Sequence, residues 1–276
     1  MQWAGCAVMG IVNVTPDSFS DGGQFLDVDV AVAHGVLLAS QGATIVDIGG
    51  ESTRPGSTGV DVDTELSRVI PVIERLAPLL ASTSTGTSEV RISIDTRQPV
   101  VAAAAIAAGA SIVNDITALE DSDMVAVCVD GGVPAVLVHM QGTPEDMQND
   151  PHYDDVVAEV KAFLDDRASA VMRAGVPSVL VDPGIGFGKT LQHNLALLRA
   201  LPLGLSFPVL VGASRKRLIQ TLGGLDASAD RDAGSVAVHL FAAHRGAAMV
   251  RVHDVAAHTQ ALAITTALDD ARDQPS

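Results

Sequence analysis

Seven polar residues stand at or just after the ends of short apolar runs: Asn13, Asp47, Asp95, Asn114, His139, Asp182 and His253. Carboxylates, amides and imidazoles placed in this way can hydrogen-bond a flat polar ligand and move protons, whereas an apolar sheet offers them no partners. Asp182 opens a glycine-rich stretch, Asp-Pro-Gly-Ile-Gly-Phe-Gly-Lys at 182–189, that runs on to Thr190. The Gly-Lys-Thr ending suggests a phosphate loop, but a Walker loop needs Gly where Pro183 stands, and the dinucleotide spacing is missed as well. What remains is a carboxylate beside glycines that let a ligand approach the backbone.

Cations are concentrated at two places. Arg215, Lys216 and Arg217 follow Ser214 in a chain of formal net charge −16. A solvated helix start is the plain alternative, yet cations are unfavourable at the positive end of a helix dipole, which favours anion binding. Arg251 and His253 are two residues apart at the end of a strand-like run, so they share a face and suit a phosphate clamp. Two loops add polar groups. One spans residues 13–23, with Phe19 and the carboxylates Asp17 and Asp21, and has the make-up of a lid as well as of a turn. The other places Ser52, Thr53 and Arg54 before Pro55, hydroxyls and a guanidinium that suit a carboxylate or phosphate, with a simple turn as the alternative. Asp95 reads equally well as a helix N-cap, and His139 alone reads first as a hydrogen-bonded structural residue. None of the eight histidines forms a zinc-ligand pattern.

The elements that must position these groups alternate. Apolar runs at 8–12, 44–48, 91–94, 111–113, 135–138, 178–181, 208–211 and 249–252 predict eight strands. Helical patterns at 30–40, 63–80, 99–108, 154–174, 191–201, 231–245 and 256–268 lie between and after them. A doubly wound open sheet gives the same local signal, but polar residues at seven strand ends favour one rim of a closed (β/α)8 TIM barrel. At 276 residues the chain suits a single barrel domain, with the polar tract 81–89 as a loop and 269–276 as a frayed tail.

Composition narrows the function classes. Hydrophobic residues make up 47% of the chain and aromatics only 3%, so the core must be built from small aliphatic side chains. The strong negative charge opposes nucleic acid as a partner. Cys6 and Cys128 read as ordinary reduced thiols, and the N-terminus lacks the basic start of a signal peptide. The Ala-rich run at 100–108 falls well short of the roughly 20 apolar residues a bilayer span requires. A soluble cytoplasmic protein with no membrane association is expected.

Taken together, these segments resemble the dihydropteroate synthase family from about residue 8 to 255. The carriers are Asn-Val-Thr-Pro-Asp-Ser-Phe-Ser-Asp-Gly-Gly at 13–23, Gly-Gly-Glu-Ser-Thr-Arg-Pro-Gly at 49–56, the 182–189 stretch, Ser-Arg-Lys at 214–216 and Arg-Val-His-Asp at 251–254. The resemblance implies a transferase of folate biosynthesis that joins 6-hydroxymethyl-7,8-dihydropterin pyrophosphate to para-aminobenzoate. It further implies that Asp95, Asn114, Asp182 and Lys216 bond the pterin edge while Ile116, Met140, Phe187 and Gly212 shape its slot. Asn13 would hold Mg2+ on the pyrophosphate, and Arg251 and His253 would bind the pyrophosphate oxygens. Asp95 and Asp21 would stabilise a pterin methylene cation, with Lys216 as the third catalytic group. Phe19, Thr53, Arg54, Pro55 and Ser214 would form the para-aminobenzoate site, in a homodimer. Arg217 departs from the family's usual Ser and is assigned to the para-aminobenzoate carboxylate. Thr117-Ala118-Leu119 departs from its usual small turn. A corrinoid methyltransferase type of pterin-binding domain is the rival reading, but it has no use for a pyrophosphate clamp.

Overall fold

A computed structural model describes residues 5–15, 24–53, 56–83, 89–226 and 230–270. Eight parallel strands, β1 (Ala7–Asn13), β2 (Ile45–Gly49), β3 (Arg91–Asp95), β4 (Ile112–Asp115), β5 (Ala135–Val138), β6 (Val179–Asp182), β7 (Leu210–Val211) and β8 (Met249–Val252), form one sheet. Its order, β6-β5-β4-β3-β2-β1-β8-β7, brings the two ends of the sheet round to each other. There Val181 bridges Val209 in parallel, and Val181 N–H donates to Pro208 O at 3.0 Å. The predicted (β/α)8 barrel is therefore the observed architecture, closed across β6 and β7 by its thinnest seam. The predicted strand at 208–211 contributes only two residues to β7, because Pro208 has no N–H to add to the ladder.

The helices are α1 (Gln24–Ser40), α2 (Val62–Thr83), α3 (Pro99–Ala108), α4 (Ser122–Asp130), α5 (Val156–Ala174), α6 (Leu191–Ala200), α7 (Arg217–Gly223), α8 (Asp232–His244) and α9 (Val255–Asp270). Seven of these match the predicted helical patterns. The start of α5 is set by Asp155, whose carboxylate accepts from the N–H groups of Val157 and Ala158. Two short helices, α4 and α7, were not predicted; α4 is capped by Asp121, which accepts from Asp123 N–H. Because α9 runs to Asp270, the first two residues of the expected tail are helical, and residues 271–276 lie outside the described part.

Strand periodicity divides the core in two. Residues such as Val46, Ile48, Ile94, Val113, Val181 and Val250 face outward and pack under the helices. The alternate residues Met9, Ile45, Ile112, Val136, Leu180, Leu210 and Met249 face inward and fill the barrel as an apolar plug. Two residues further along their strands, Asp47, Asn114, Asp182 and Arg251 necessarily face inward too, one layer above that plug. The same period that builds the core thus stacks a polar layer at the C-terminal rim.

Helices α1 and α2 approach closely at Gly35, where a Cβ would stand 2.7 Å from Leu76 Cδ2. Leu76 is fully buried in that contact. Leu76→Ala should therefore destabilise the fold by about 2–5 kcal/mol, read as a lower urea midpoint with an unchanged slope.

Candidate active site

The polar layer is organised by Arg251. Its Nε donates to Asp47 Oδ2 at 2.5 Å and its Nη2 to Asp95 Oδ2 at 2.6 Å, while Asn114 Nδ2 donates to Asp47 Oδ2 at 3.1 Å. One cation thus faces two carboxylates in a site largely shielded from water. Burial by itself pulls the Arg251 pKa down, but Asp47 and Asp95 outweigh it and raise the pKa above its ordinary value. Burial pushes Asp95 up to about 7 against the attraction of Arg251, and Asp47 adds repulsion in the same direction.

The layer has unfilled hydrogen-bonding capacity. Asp47 Oδ1, Asn114 Oδ1 and the Ser93 hydroxyl are buried with no partner among the described residues. With its amide nitrogen committed to Asp47, Asn114 presents its oxygen as an acceptor. Such orphaned atoms in a barrel mouth point to a ligand with N–H donors.

Asp182 is on the other side of the mouth, at the end of β6, and is buried. Its Oδ1 accepts from Gly184 N–H at 2.7 Å, which fixes the plane of the carboxylate. Gly184 takes φ +67, and a Cβ there would stand 1.8 Å from His139 O, so no other residue fits this turn. Across from it, a Cβ on Gly212 would meet Asp182 Oδ2 at 3.4 Å, so glycine leaves that oxygen open to a ligand. Burial raises the Asp182 pKa, and the charge of Lys216 works against the rise. Lys216 caps α7, donates to Ile185 O and places its Nζ 4.1 Å from the centroid of Phe187. Burial lowers its pKa to about 8, with Asp182 opposing. Asp182, Lys216 and Phe187 therefore form one wall. Ile116 and Met140 border a cavity of about 150 Å³ that Val138 and Phe163 also line.

Several predicted groups are engaged differently from expectation. Ser214 Oγ lies 2.9 Å from His253 Nδ1 and accepts His253 N–H at 3.2 Å, so it joins the β7 and β8 loops. Of the three clustered cations, Arg215 is neutralised by Asp232 through two bonds of 2.6 Å, leaving Lys216 in the wall and Arg217 exposed at the start of α7. Asn13 ends β1 opposite Gly49, and Thr53 is half-buried in the β2 loop. Phe19, Asp21, Arg54 and Pro55 lie outside the described residues.

Two supporting residues carried no predicted role. Asp47 was visible as a strand-end carboxylate, yet its grip on Arg251 and Asn114 spans 204 and 67 residues of sequence. Lys189, buried, bonds Phe187 O and His139 Nδ1, each at 2.9 Å, and so ties the glycine-rich loop to the end of β5. Burial brings Lys189 down to about 7, and burial together with Lys189 holds His139 near 3. The sequence reading of His139 as a hydrogen-bonded structural residue agrees with this contact.

An acidic and amide edge over an apolar barrel floor defines an enzyme site for a flat, nitrogen-rich ring. The family model described as "Pterin binding enzyme" matches residues 9–253. The dihydropteroate synthase of Escherichia coli (strain K12) is 44% identical over 270 residues, covering 96% of this chain and 93% of that protein. A Xanthomonas albilineans dihydropteroate synthase structure with 4-aminobenzoic acid superposes with a TM-score of 0.88 at 51% identity, covering 98% of this chain and 94% of that one. The structure of the Xanthomonas albilineans enzyme in complex with 7,8-dihydropteroate gives a TM-score of 0.86 at 48% identity, covering 100% and 97%. The chain belongs to the pterin-binding enzyme family and, within it, to the dihydropteroate synthases.

The raised Asp95 pKa has a consequence for stability. Folded Asp95 holds its proton up to about pH 7, whereas the free carboxyl releases it near 3.8, so between these values the folded state binds more protons than the unfolded state. Stability from this group is therefore lost as pH rises through that window. Urea unfolding measured across it should show a steeper fall for the wild type than for Asp95→Asn; parallel curves would contradict the assignment.

Proposed function

We propose that this chain condenses 6-hydroxymethyl-7,8-dihydropterin pyrophosphate with para-aminobenzoate to give 7,8-dihydropteroate and pyrophosphate. The observation that carries the reading is Asp182: a buried carboxylate, fixed by Gly184 N–H, whose second oxygen faces the open side of Gly212. A pterin offers two parallel N–H donors along its amidine-like edge, and a carboxylate is the matching acceptor. Asn114, whose buried Oδ1 has no partner among the described residues, accepts a further ring N–H, and Lys216 donates to the carbonyl side. Phe187 and Met140 cover the ring faces, with Ile116 at its border. The ring is then held with its methylene toward Asp95 and Arg251.

The substitution is dissociative. The bond from the pterin methylene to the pyrophosphate oxygen breaks, and the electron pair leaves with the pyrophosphate. Asp95 stabilises the methylene cation that remains, helped by Asp21 from the first loop. Among the described residues, two of the five N–H donors of Arg251 are engaged, by Asp47 and Asp95, so the others can serve the leaving group, which His253 binds as well. The amine of para-aminobenzoate then attacks the methylene and loses a proton. Phe19 and Pro55 flank its ring, Thr53, Arg54 and Ser214 lie beside it, and Arg217 pairs with its carboxylate.

The residues present suit a magnesium ion carried by the pyrophosphate. Asn13 offers one neutral amide oxygen at the rim, and among the described residues no cluster of three or more His, Cys, Asp or Glu forms a dedicated cage. Mg2+ is commonly held by one or two protein oxygens together with substrate phosphates. When bound, it neutralises charge on the leaving group. The proposed assembly is a homodimer in the cytoplasm, a compartment compatible with the free thiols of Cys6 and Cys128. Among the described residues no helix is long and apolar enough to cross a membrane.

Incubation with pterin pyrophosphate, para-aminobenzoate and Mg2+ should release pyrophosphate and form dihydropteroate; a folded sample that forms none would overturn the proposal. Asp182→Asn should lower kcat/KM for the pterin substrate by roughly 10–100-fold, because a charge-assisted pair becomes mismatched. Arg217→Ala should raise KM for para-aminobenzoate more than it lowers kcat, and unchanged constants would remove Arg217 from that site.

A further inference from the structure

Behind the mouth of the barrel, the β7 and β8 loops meet in a ring of hydrogen bonds that includes two histidines the proposed chemistry does not use. Ala213 N–H donates to His239 Nε2 at 3.0 Å, His239 Nδ1 lies 2.8 Å from His258 Nε2, and His258 Nδ1 lies 2.5 Å from the carbonyl oxygen of Asp254. His239 is on α8 and His258 on α9, and both are 1% exposed. The direct contacts of Ser214 Oγ with His253 close the ring, since Ser214 follows Ala213 and His253 precedes Asp254.

The proton positions in the histidine pair follow from the two ends. A backbone N–H can only donate, so Nε2 of His239 is the bare nitrogen and its proton sits on Nδ1. That proton is given to His258 Nε2, which leaves the His258 proton on Nδ1. The carbonyl of Asp254 can only accept, and receives it. One arrangement satisfies all three contacts, with both imidazoles neutral. Burial pushes the His239 pKa well below the usual histidine range, with His258, Lys216 and His253 adding repulsion. A charged His239 would turn an N–H against the Ala213 N–H.

We propose that His239 and His258 are positioning residues that lock the β7 and β8 loops into one unit, setting Ser214 and Lys216 relative to His253. The inference rests on the functional reading given above, in which the first loop borders the pterin and para-aminobenzoate and the second binds pyrophosphate. The imidazoles stand on the outer helices and act only through the loop backbones. Gln is the conservative replacement for His239, because its amide can accept from Ala213 and donate to His258; Phe can do neither.

Long-range proton–nitrogen NMR on the intact wild-type protein should find both imidazoles neutral with the proton on Nδ1. Steady-state kinetics should show His239→Phe raising KM for both substrates, and the inhibition constant of inorganic pyrophosphate, by about tenfold with a smaller fall in kcat. His239→Gln should restore most of the loss. A cationic or Nε2–H imidazole in the wild type would overturn the inference, as would a folded His239→Phe protein whose KM and inhibition constants match the wild type. Should that variant not fold, the wild-type spectrum and the kinetics of His258→Phe, which likewise can neither accept from His239 nor donate to the Asp254 carbonyl, decide by the same criteria. A wild-type protein that forms no dihydropteroate defeats the functional reading instead, and the tautomer spectrum still tests the histidine pair.

Discussion

A single guanidinium stands between two carboxylates at the level where the apolar floor of the barrel gives way to its polar mouth. Arg251 bonds both Asp47 and Asp95, and Asp47 in turn orients the amide of Asn114. Buried charge of this kind is unfavourable unless paired, and removing one partner leaves the other stranded. The layer therefore has one arrangement that satisfies most of its members. That arrangement fixes what each presents to a ligand: Asn114 an acceptor, Asp95 a carboxylate of raised pKa, Arg251 its remaining donors. Recognition follows from how the charges accommodate one another.

The opposite wall obeys a different constraint. There, backbone geometry fixes the carboxylate, through Gly184 N–H on Asp182 and a turn that only glycine can make against His139 O. Lys189 and Lys216, both held below the usual lysine range chiefly by burial, bond carbonyls of the same glycine-rich loop. A loop that would otherwise be adaptable is thereby tied to β5 on one side and to α7 on the other. The two walls are fixed by distinct means, one by charge pairing and the other by a pinned backbone.

The fold was legible because the strands of a parallel barrel are buried on both faces and seven of the eight lead to a polar residue at the rim, a pattern that survives in one dimension. The two unpredicted helices are short, and α7 starts within a basic cluster that drew attention as an anion site. That same cluster shows where sequence reasoning stops. Arg215 is neutralised by Asp232, seventeen residues away, and Ser214 is engaged by His253, thirty-nine away. Residue type announces which groups are chemically capable; which of them are already committed to one another depends on distances that only the closed barrel sets. Asp47 is the reverse case, plain at a strand end but without meaning until Arg251 is seen to rest on it.

The seam between β6 and β7 has a consequence for how the barrel opens locally. With one parallel bridge joining strands that elsewhere share continuous ladders, this is the line along which backbone amides are least protected and the wall most readily parts. Asp182 stands on one side of it, and Gly212 and Lys216 on the other. A ring that bonded both Asp182 and Lys216, as proposed, would span the line as a rivet spans a joint and supply cross-links that the sheet omits.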